Sequence, residues 1–222
     1  MLLIIPNVLS KEQVELVLRE IGDGAYEDGR VSAGDLARDV KKNLQIKRDA
    51  AAAQKCAPMI LEVLRRNSVF FSIAFPHKIN GPIFNRYDVG MTYGLHVDNA
   101  LMGEPASIRS DVSATLFLSA PESYDGGELI LSEHQGERRI KLPPGSMVVY
   151  ASTNAHRVEP VTRGTRLAAI FWIQSMIREE AKRDLLFDLN HVITALHGKI
   201  GHGENMALSS VYHNLLRMWA ET

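Results

Sequence analysis

Between about residues 69 and 175 the chain is cut into short apolar runs separated by turn residues, and that rhythm constrains the fold more than any other feature. Nine runs are predicted as strands: Val69–Phe75, Ile83–Tyr87, Thr92–Val97, Val112–Ser119, Glu128–Ser132, Arg138–Leu142, Met147–Ala151, His156–Val161 and Arg166–Ile173. The breaks hold Asn80-Gly81-Pro82, Asp125-Gly126-Gly127, Pro143-Pro144-Gly145 and Arg163-Gly164, where glycine supplies positive φ and proline a fixed φ for turning. Short strands at this spacing fit an antiparallel sandwich or barrel.

Helical patterns flank that region. Ser10 with Gln13 three residues later forms a capping box, followed by Val14, Leu16, Val17, Leu18 and Ile21 at helical spacing. A second helix is expected over Ala50–Arg66, and two more over Glu179–His197 and Asn205–Trp219, joined by a glycine-rich stretch. The fold class is therefore α+β and mainly β, a β core with helices at both ends. The expected units are residues 1–176, the core with its N-terminal helices, and residues 177–222, a C-terminal helical extension.

Composition excludes several functions. Apolar residues at 45%, charged residues at 23% and a formal charge of −1 describe a soluble globular protein with no attraction for polyanions, so no nucleic-acid partner is expected. Cys56 is the single cysteine, which rules out an internal disulfide. Met1–Ile5 is apolar but ends at Pro6, too short for a signal peptide or a membrane span. A cytoplasmic location without membrane attachment follows as the expectation.

The stretch "GLHVDNA" carries the chemistry. In a strand, side chains alternate, so His96 and Asp98 project to one side and Val97 to the other. An imidazole nitrogen and a carboxylate oxygen so placed can take neighbouring positions on one metal ion, although an isolated His-x-Asp is common on solvated strands. His156, at the start of a later strand, supplies a third ligand. Two histidines and one carboxylate in this arrangement form the facial triad that leaves open positions on iron, and the absence of thiolates argues against structural zinc. The remaining histidines, His77, His134, His191, His197, His202 and His213, lie near predicted turns or on terminal helices. A second set from His197, His202 and Glu204 reads better as a polar loop.

Arg166 is an independent clue. Residues 167–173 are apolar on both parities, so this strand should be buried on both faces. A guanidinium within it needs an anion. Its fork suits a carboxylate bidentately, and an internal ion pair with one of the chain's own acids answers the same need.

The segments "RYDVGMTYGLHVDNA" (86–100), "YDGGELIL" (124–131) and "HRVEPVTRGTRLAAIFWIQS" (156–175) resemble the Fe(II)- and 2-oxoglutarate-dependent dioxygenases of the prolyl 4-hydroxylase superfamily. Among these the chain is most similar to the bacterial PKHD-type hydroxylases linked to iron uptake, over nearly its whole length. The resemblance implies a double-stranded β-helix, or jelly roll, with flanking helices. It assigns His96, Asp98 and His156 to Fe(II) and Arg166 to the distal carboxylate of 2-oxoglutarate. It further implies dioxygen as cosubstrate, succinate and CO2 as coproducts, and L-ascorbate as an accessory cofactor. Tyr87 and Tyr93 resemble pocket tyrosines whose hydroxyls bond the cosubstrate, while packing in a half-buried sheet explains them equally well. Tyr93 and His96 have opposite parity and share a pocket only if the strand is bulged near Gly94. Trp172 shares parity with Arg166, with core packing as its default role.

Nucleic-acid demethylases of the superfamily carry a second arginine six residues after the first; here that position is Trp172. Metal-binding cupins usually begin with His-x-His, where this chain has Asp98. A non-catalytic metal-binding barrel, acting as an iron-responsive interaction module, is the alternative from another class. The stripe Leu185, Leu186, Leu189, Val192, Ile193 and Leu196 reads first as a cover for the barrel and second as a homo-oligomer interface. The primary substrate, a prolyl or lysyl peptide or a siderophore-related small molecule, is left open. The loop Asn99–Ser110, with Met102, Gly103, Pro105 and Arg109, is the expected substrate lid.

Overall fold

A computed structural model describes residues 1–22, 24–103, 107–133 and 136–222, with backbone alone at 35 and 36. In chain order the strands are β1 (Leu2–Ile5), β2 (Tyr26–Asp28), β3 (Lys41–Lys42), β4 (Leu44–Ile46), β5 (Pro76–Tyr87), β6 (Thr92–His96), β7 (Leu101–Met102), β8 (Ile108–Arg109), β9 (Val112–Phe117), β10 (Asp125–Gly126), β11 (Leu129–Glu133), β12 (Gly136–Ile140), β13 (Met147–Ala151), β14 (His156–Val158), β15 (Val161–Arg163) and β16 (Arg166–Ser175). The helices are α1 (Lys11–Gly22), α2 (Asp35–Arg38), α3 (Ala51–Arg66), α4 (Ser68–Ala74), α5 (Glu180–Leu196) and α6 (His202–Trp219).

Two antiparallel sheets face each other as a jelly roll. The larger runs β1-β13-β9-β16-β5-β4-β2 and the smaller β12-β11-β14-β6-β3. Strand alternation gives the large sheet two different faces. Val112, Ala114 and Leu116 of β9, Met147 and Val149 of β13, and Phe171 and Ile173 of β16 point to one side, where they pack on Val17 and Ile21 of α1, Ile60 and Leu64 of α3, and Phe70 and Ile73 of α4. Burying each such side chain contributes about 1.5–3 kcal/mol. The opposite parity, including Ser113, Thr115, Tyr150, Tyr87 and Arg166, faces the small sheet and lines the space between. Sandwiched this way, β16 is buried on both parities, as its apolar sequence requires.

Several expected elements differ. Val69–Phe75 is not a strand: Ser68–Ala74 is helical because the Asn67 side chain caps it, accepting from Phe70 N at 2.8 Å. Phe70, Ile73 and Ala74, spaced i, i+3 and i+4, are buried, while Val69 and Phe71 are exposed. Phe75 ends the helix in the left-handed region, with φ 43. The triplet Asn80-Gly81-Pro82 is no chain reversal either; β5 runs through it with a bulge, pairing Ile83 with Ile170 and Asn80 with Trp172. Gly81 is required there, since φ is +116 and a Cβ would fall 2.6 Å from Ile170 O. The run His156–Val161 divides into β14 and the start of β15. Strands β2, β3 and β4 occupy a segment where no element was expected.

The capping box is present, with Ser10 N donating to Gln13 Oε1 at 2.9 Å and Gln13 N to Ser10 Oγ at 3.3 Å. At the other end, Leu186 of α5 and Phe75 and Ile177 form a buried cluster covered by Tyr212, Leu215, Leu216 and Trp219. The apolar stripe of α5 is thus split: Leu186 is buried, while Leu185 and Val192 are exposed. Among the described residues, no helix is long and apolar enough to cross a membrane.

Candidate metal centre

The strand that carries the first ligand is irregular where the sequence demanded it. Tyr93 of β6 pairs with Val158 and His96 with His156, so two residues of β6, Gly94 and Leu95, oppose one of β14, Arg157. The extra residue falls at Gly94–Leu95, and it turns Tyr93 and His96 to the same side. Gly94 N donates to Val40 O at 2.9 Å, and a Cβ on Gly94 would meet Val40 Cβ at 2.7 Å. Glycine therefore permits both the bulge and the close approach of the chain before β3.

His96, Asp98 and His156 offer ligand atoms that all lie within 4.8 Å of one another, and they are the one such metal-competent group among the described residues. The set His197, His202 and Glu204 is not brought together; His197 instead bonds Asn205. His134 lies outside the described residues, as does Pro105. Each imidazole is oriented by the backbone two residues upstream, within β6 for His96 and in the turn before β14 for His156: His96 Nδ1 lies 2.7 Å from Gly94 O and His156 Nδ1 lies 3.0 Å from Asn154 O. Nδ1–H donating to those carbonyls leaves Nε2 free as a ligand atom. Asp98 is held by Ser113, whose hydroxyl donates to Oδ2 at 2.6 Å and is itself 2.7 Å from Ser152 Oγ. Burial, with His156 next to it, pushes the His96 imidazole down to about 4, the neutral form that a metal ion needs.

Arg166 lines the same pocket and is 2% exposed. It forms no ion pair with any described residue, and its Nε has no hydrogen-bond partner. Its guanidinium instead lies 5.1 Å from the Tyr87 ring and 5.4 Å from that of Phe117. The internal ion pair allowed by the sequence is thus absent among the described residues. Gly127, at φ +65, lets the arginine stem pass, since a Cβ there would meet Arg166 Cδ and Tyr124 Cε2 at 3.1 Å.

Tyr93 stacks on His96 with ring centroids 3.6 Å apart, and Tyr87 faces Arg166. Burial raises the Tyr87 hydroxyl to about 12 and the Tyr93 hydroxyl further, so both keep their protons at any physiological pH. Trp172 lines the pocket as well. Of the expected lid, Asn99 and Met102 line the pocket and β7 pairs with β8. Arg109 does not take part: it binds Asp111 at 2.7 Å and Ser175 O at 3.2 Å, with Glu221 at 3.4 Å.

Sequence reasoning missed Ser113, Tyr150 and Lys41. For Ser113 the signal was Ser-x-Thr on one parity of an otherwise apolar strand, which marks a polar cavity on that face. For Lys41 it was the alternation Lys41-x-Asn43-x-Gln45, three buried polar side chains.

Fold and site together define an Fe(II)- and 2-oxoglutarate-dependent oxygenase, and residues 82–174 match the model of the 2OG-Fe(II) oxygenase superfamily. Residues 180–221 match that of the PKHD-type hydroxylase C-terminal domain. The chain is 46% identical over 227 residues to a PKHD-type hydroxylase of Xanthomonas campestris pv. campestris, covering 100% of both chains. A PKHD-type hydroxylase of Burkholderia ambifaria is 47% identical over 228 residues, again covering 100% of both. The chain belongs to the PKHD-type hydroxylase family.

Solved structures agree on the fold. A Pseudomonas putida prolyl-4-hydroxylase superposes with TM-score 0.54 at 20% identity, covering 78% of this chain and 92% of its own. A Trichoplax adhaerens prolyl hydroxylase gives TM-score 0.55 at 18% identity, covering 83% and 86%. The protein is accordingly a 2-oxoglutarate-dependent dioxygenase that hydroxylates its substrate with Fe(II), 2-oxoglutarate and dioxygen. That sets aside the non-catalytic interaction module.

Proposed function

We propose that His96, Asp98 and His156 hold the iron and that Arg166 receives the distal carboxylate of 2-oxoglutarate. The observation that carries this is the pairing of a preoriented two-histidine, one-carboxylate cluster with a buried guanidinium that has no acid partner among the described residues. The donor set fits Fe(II), being nitrogen and oxygen only, with three ligands and open positions left for small molecules. When bound, the iron couples oxidative decarboxylation of 2-oxoglutarate, giving succinate and CO2, to hydroxylation of a C–H bond on the primary substrate.

The chain's own residues orient and exclude. The carbonyls of Gly94 and Asn154 fix the imidazole tautomers, and Ser113 fixes the Asp98 carboxylate. Arg166 sets the far end of the cosubstrate by a forked, charge-assisted pair. Tyr87, protonated beside Arg166, and Tyr93, protonated beside His96, are placed to donate to cosubstrate oxygens. Met102, Ile170 and Trp172 supply apolar walls that keep water out.

L-Ascorbate is the accessory reductant in this reading. Residues 1–176 form the oxygenase unit and residues 177–222 a helical extension, supported by the two family models, which match residues 82–174 and 180–221. Exposed Leu185 and Val192 support a homo-oligomer through the C-terminal helices. The near-neutral charge and Trp172 in place of a second arginine support a substrate other than nucleic acid, and the single, buried Cys56 accords with the cytoplasm.

Anaerobic reconstitution with Fe(II) and 2-oxoglutarate tests the site. A weak visible charge-transfer band is expected, absent in Asp98→Ala, with succinate released on adding oxygen. A wild-type protein giving neither band nor succinate would overturn the assignment.

A further inference from the structure

A second buried cation lines the pocket. Lys41 is 4% exposed, and its Nζ donates to Ser32 Oγ at 2.8 Å and lies 5.0 Å from the centre of the Tyr93 ring. It forms no ion pair with any described residue. Ser32 is a neutral partner: its hydroxyl donates onward to Gln45 Oε1 at 2.7 Å and its oxygen accepts from the lysine, but it carries no charge to balance the ammonium. Among the described residues, two of the three ammonium donors are thus left without a protein acceptor, an unfavourable state for a buried charge.

The position is specific. Lys41 pairs with Tyr93, Tyr93 with Val158, Val158 with Leu129 and Leu129 with Ile140, so the lysine stands on the inner face of the small sheet. The neighbouring row is His96 and His156. Arg166 approaches from the other sheet, past Gly127 and Tyr124. Ser32, Asn99 and Met102 line both the metal pocket and an outer groove of about 760 Å³, so Lys41 sits at the threshold a substrate crosses.

Charge balance identifies what it awaits. Fe(II) with Asp98 carries one net positive charge and 2-oxoglutarate with Arg166 one net negative charge, and these cancel. Lys41 is left over. We infer that Lys41 receives a carboxylate of the primary substrate, which is therefore a small carboxylic acid hydroxylated near its anionic end. This rests on the cosubstrate site proposed above. A monoanion is indicated because, within the metal pocket, Lys41 is the one lysine or arginine besides Arg166 among the described lining residues.

The test is a thermal-shift titration of the full chain loaded with redox-inert Ni(II) and saturating 2-oxoglutarate. The probes are N-acetylproline, N-acetyllysine and N-acetylleucine, each as free acid and as primary carboxamide. At least one acid is expected to bind tenfold or more tightly than its amide, about 1.4 kcal/mol. In Lys41→Met that difference disappears while the shift caused by 2-oxoglutarate persists. Acids and amides acting alike on the wild type, or no acid acting at all, would overturn the inference without recourse to any variant. Loss of the 2-oxoglutarate shift in Lys41→Met would give the lysine to the cosubstrate instead. A wild type that shows no 2-oxoglutarate shift would bring down the cosubstrate site, and this inference with it.

Discussion

Replacing Arg166 by methionine should move cosubstrate affinity and intrinsic stability in opposite directions. In the proposed cosubstrate site the guanidinium is one half of a buried, hydrogen-bonded charge pair with 2-oxoglutarate, and removing one partner of such a pair costs about 2–5 kcal/mol. That corresponds to a Kd raised roughly 30-fold to several-thousand-fold. Without cosubstrate the same side chain is a buried cation facing two aromatic rings and, among the described residues, no paired carboxylate. Exchanging buried charge for an apolar group of similar volume is neutral or stabilising by about 1–4 kcal/mol. At this chain length each kcal/mol moves Tm by about 2–4 °C, so the ligand-free Tm should hold or rise by several degrees. For the wild type, 2-oxoglutarate at one hundred times its Kd adds about 2.7 kcal/mol, an increment the variant should lack at equal concentration. Paired melts with and without 2-oxoglutarate decide it. A ligand-free variant that melts well below the wild type would mean that Arg166 is satisfied within the protein, and the reasoning would fail.

Three further outcomes follow from the geometry. Ser113→Ala removes the hydroxyl that steadies Asp98, and metal affinity should drop about 10–100-fold in competition with a chelator; unchanged affinity would deny the serine that role. Gly127→Ala places a methyl against Arg166 Cδ and Tyr124 in a backbone with φ +65, so 2-oxoglutarate binding should weaken while Ni(II) binding, read by calorimetry, does not. Burial holds the Lys41 ammonium down at about 8 against 10.5 when free, with Asp98 and Asp28 opposing the shift. The unfolded chain therefore binds this proton more readily across that window, and stability should recover by about 3 kcal/mol as pH rises through it. Lys41→Met should lack that recovery, and parallel stability curves for the two proteins would contradict it.

The ligand strands were legible because their signals are local. Alternation put His96 and Asp98 on one side, turn residues bounded the strand of Arg166, and the parity conflict between Tyr93 and His96 pointed to a break at Gly94, where the bulge lies. The segment of β2, β3 and β4 was not legible. Its strands are two or three residues long, and β3 and β4 belong to different sheets, so no alternating run is long enough to register. Val69–Phe75 failed for a different reason: a seven-residue run with six apolar residues suits strand and helix alike, and the deciding cue was the Asn67 cap outside the run. Whether Arg166 had an internal acid depended on packing between sheets, beyond the reach of any local pattern.

The carbonyls that orient the two histidines each lie two residues upstream of the ring they hold, on the backbone. Both imidazoles are therefore oriented by hydrogen bonds to the local backbone, which no side-chain exchange removes. Asp98 alone depends on another residue's side chain. A lineage drifting away from iron while keeping all three ligands would find its shortest path through position 113, where one lost hydroxyl frees the carboxylate and leaves every histidine in place.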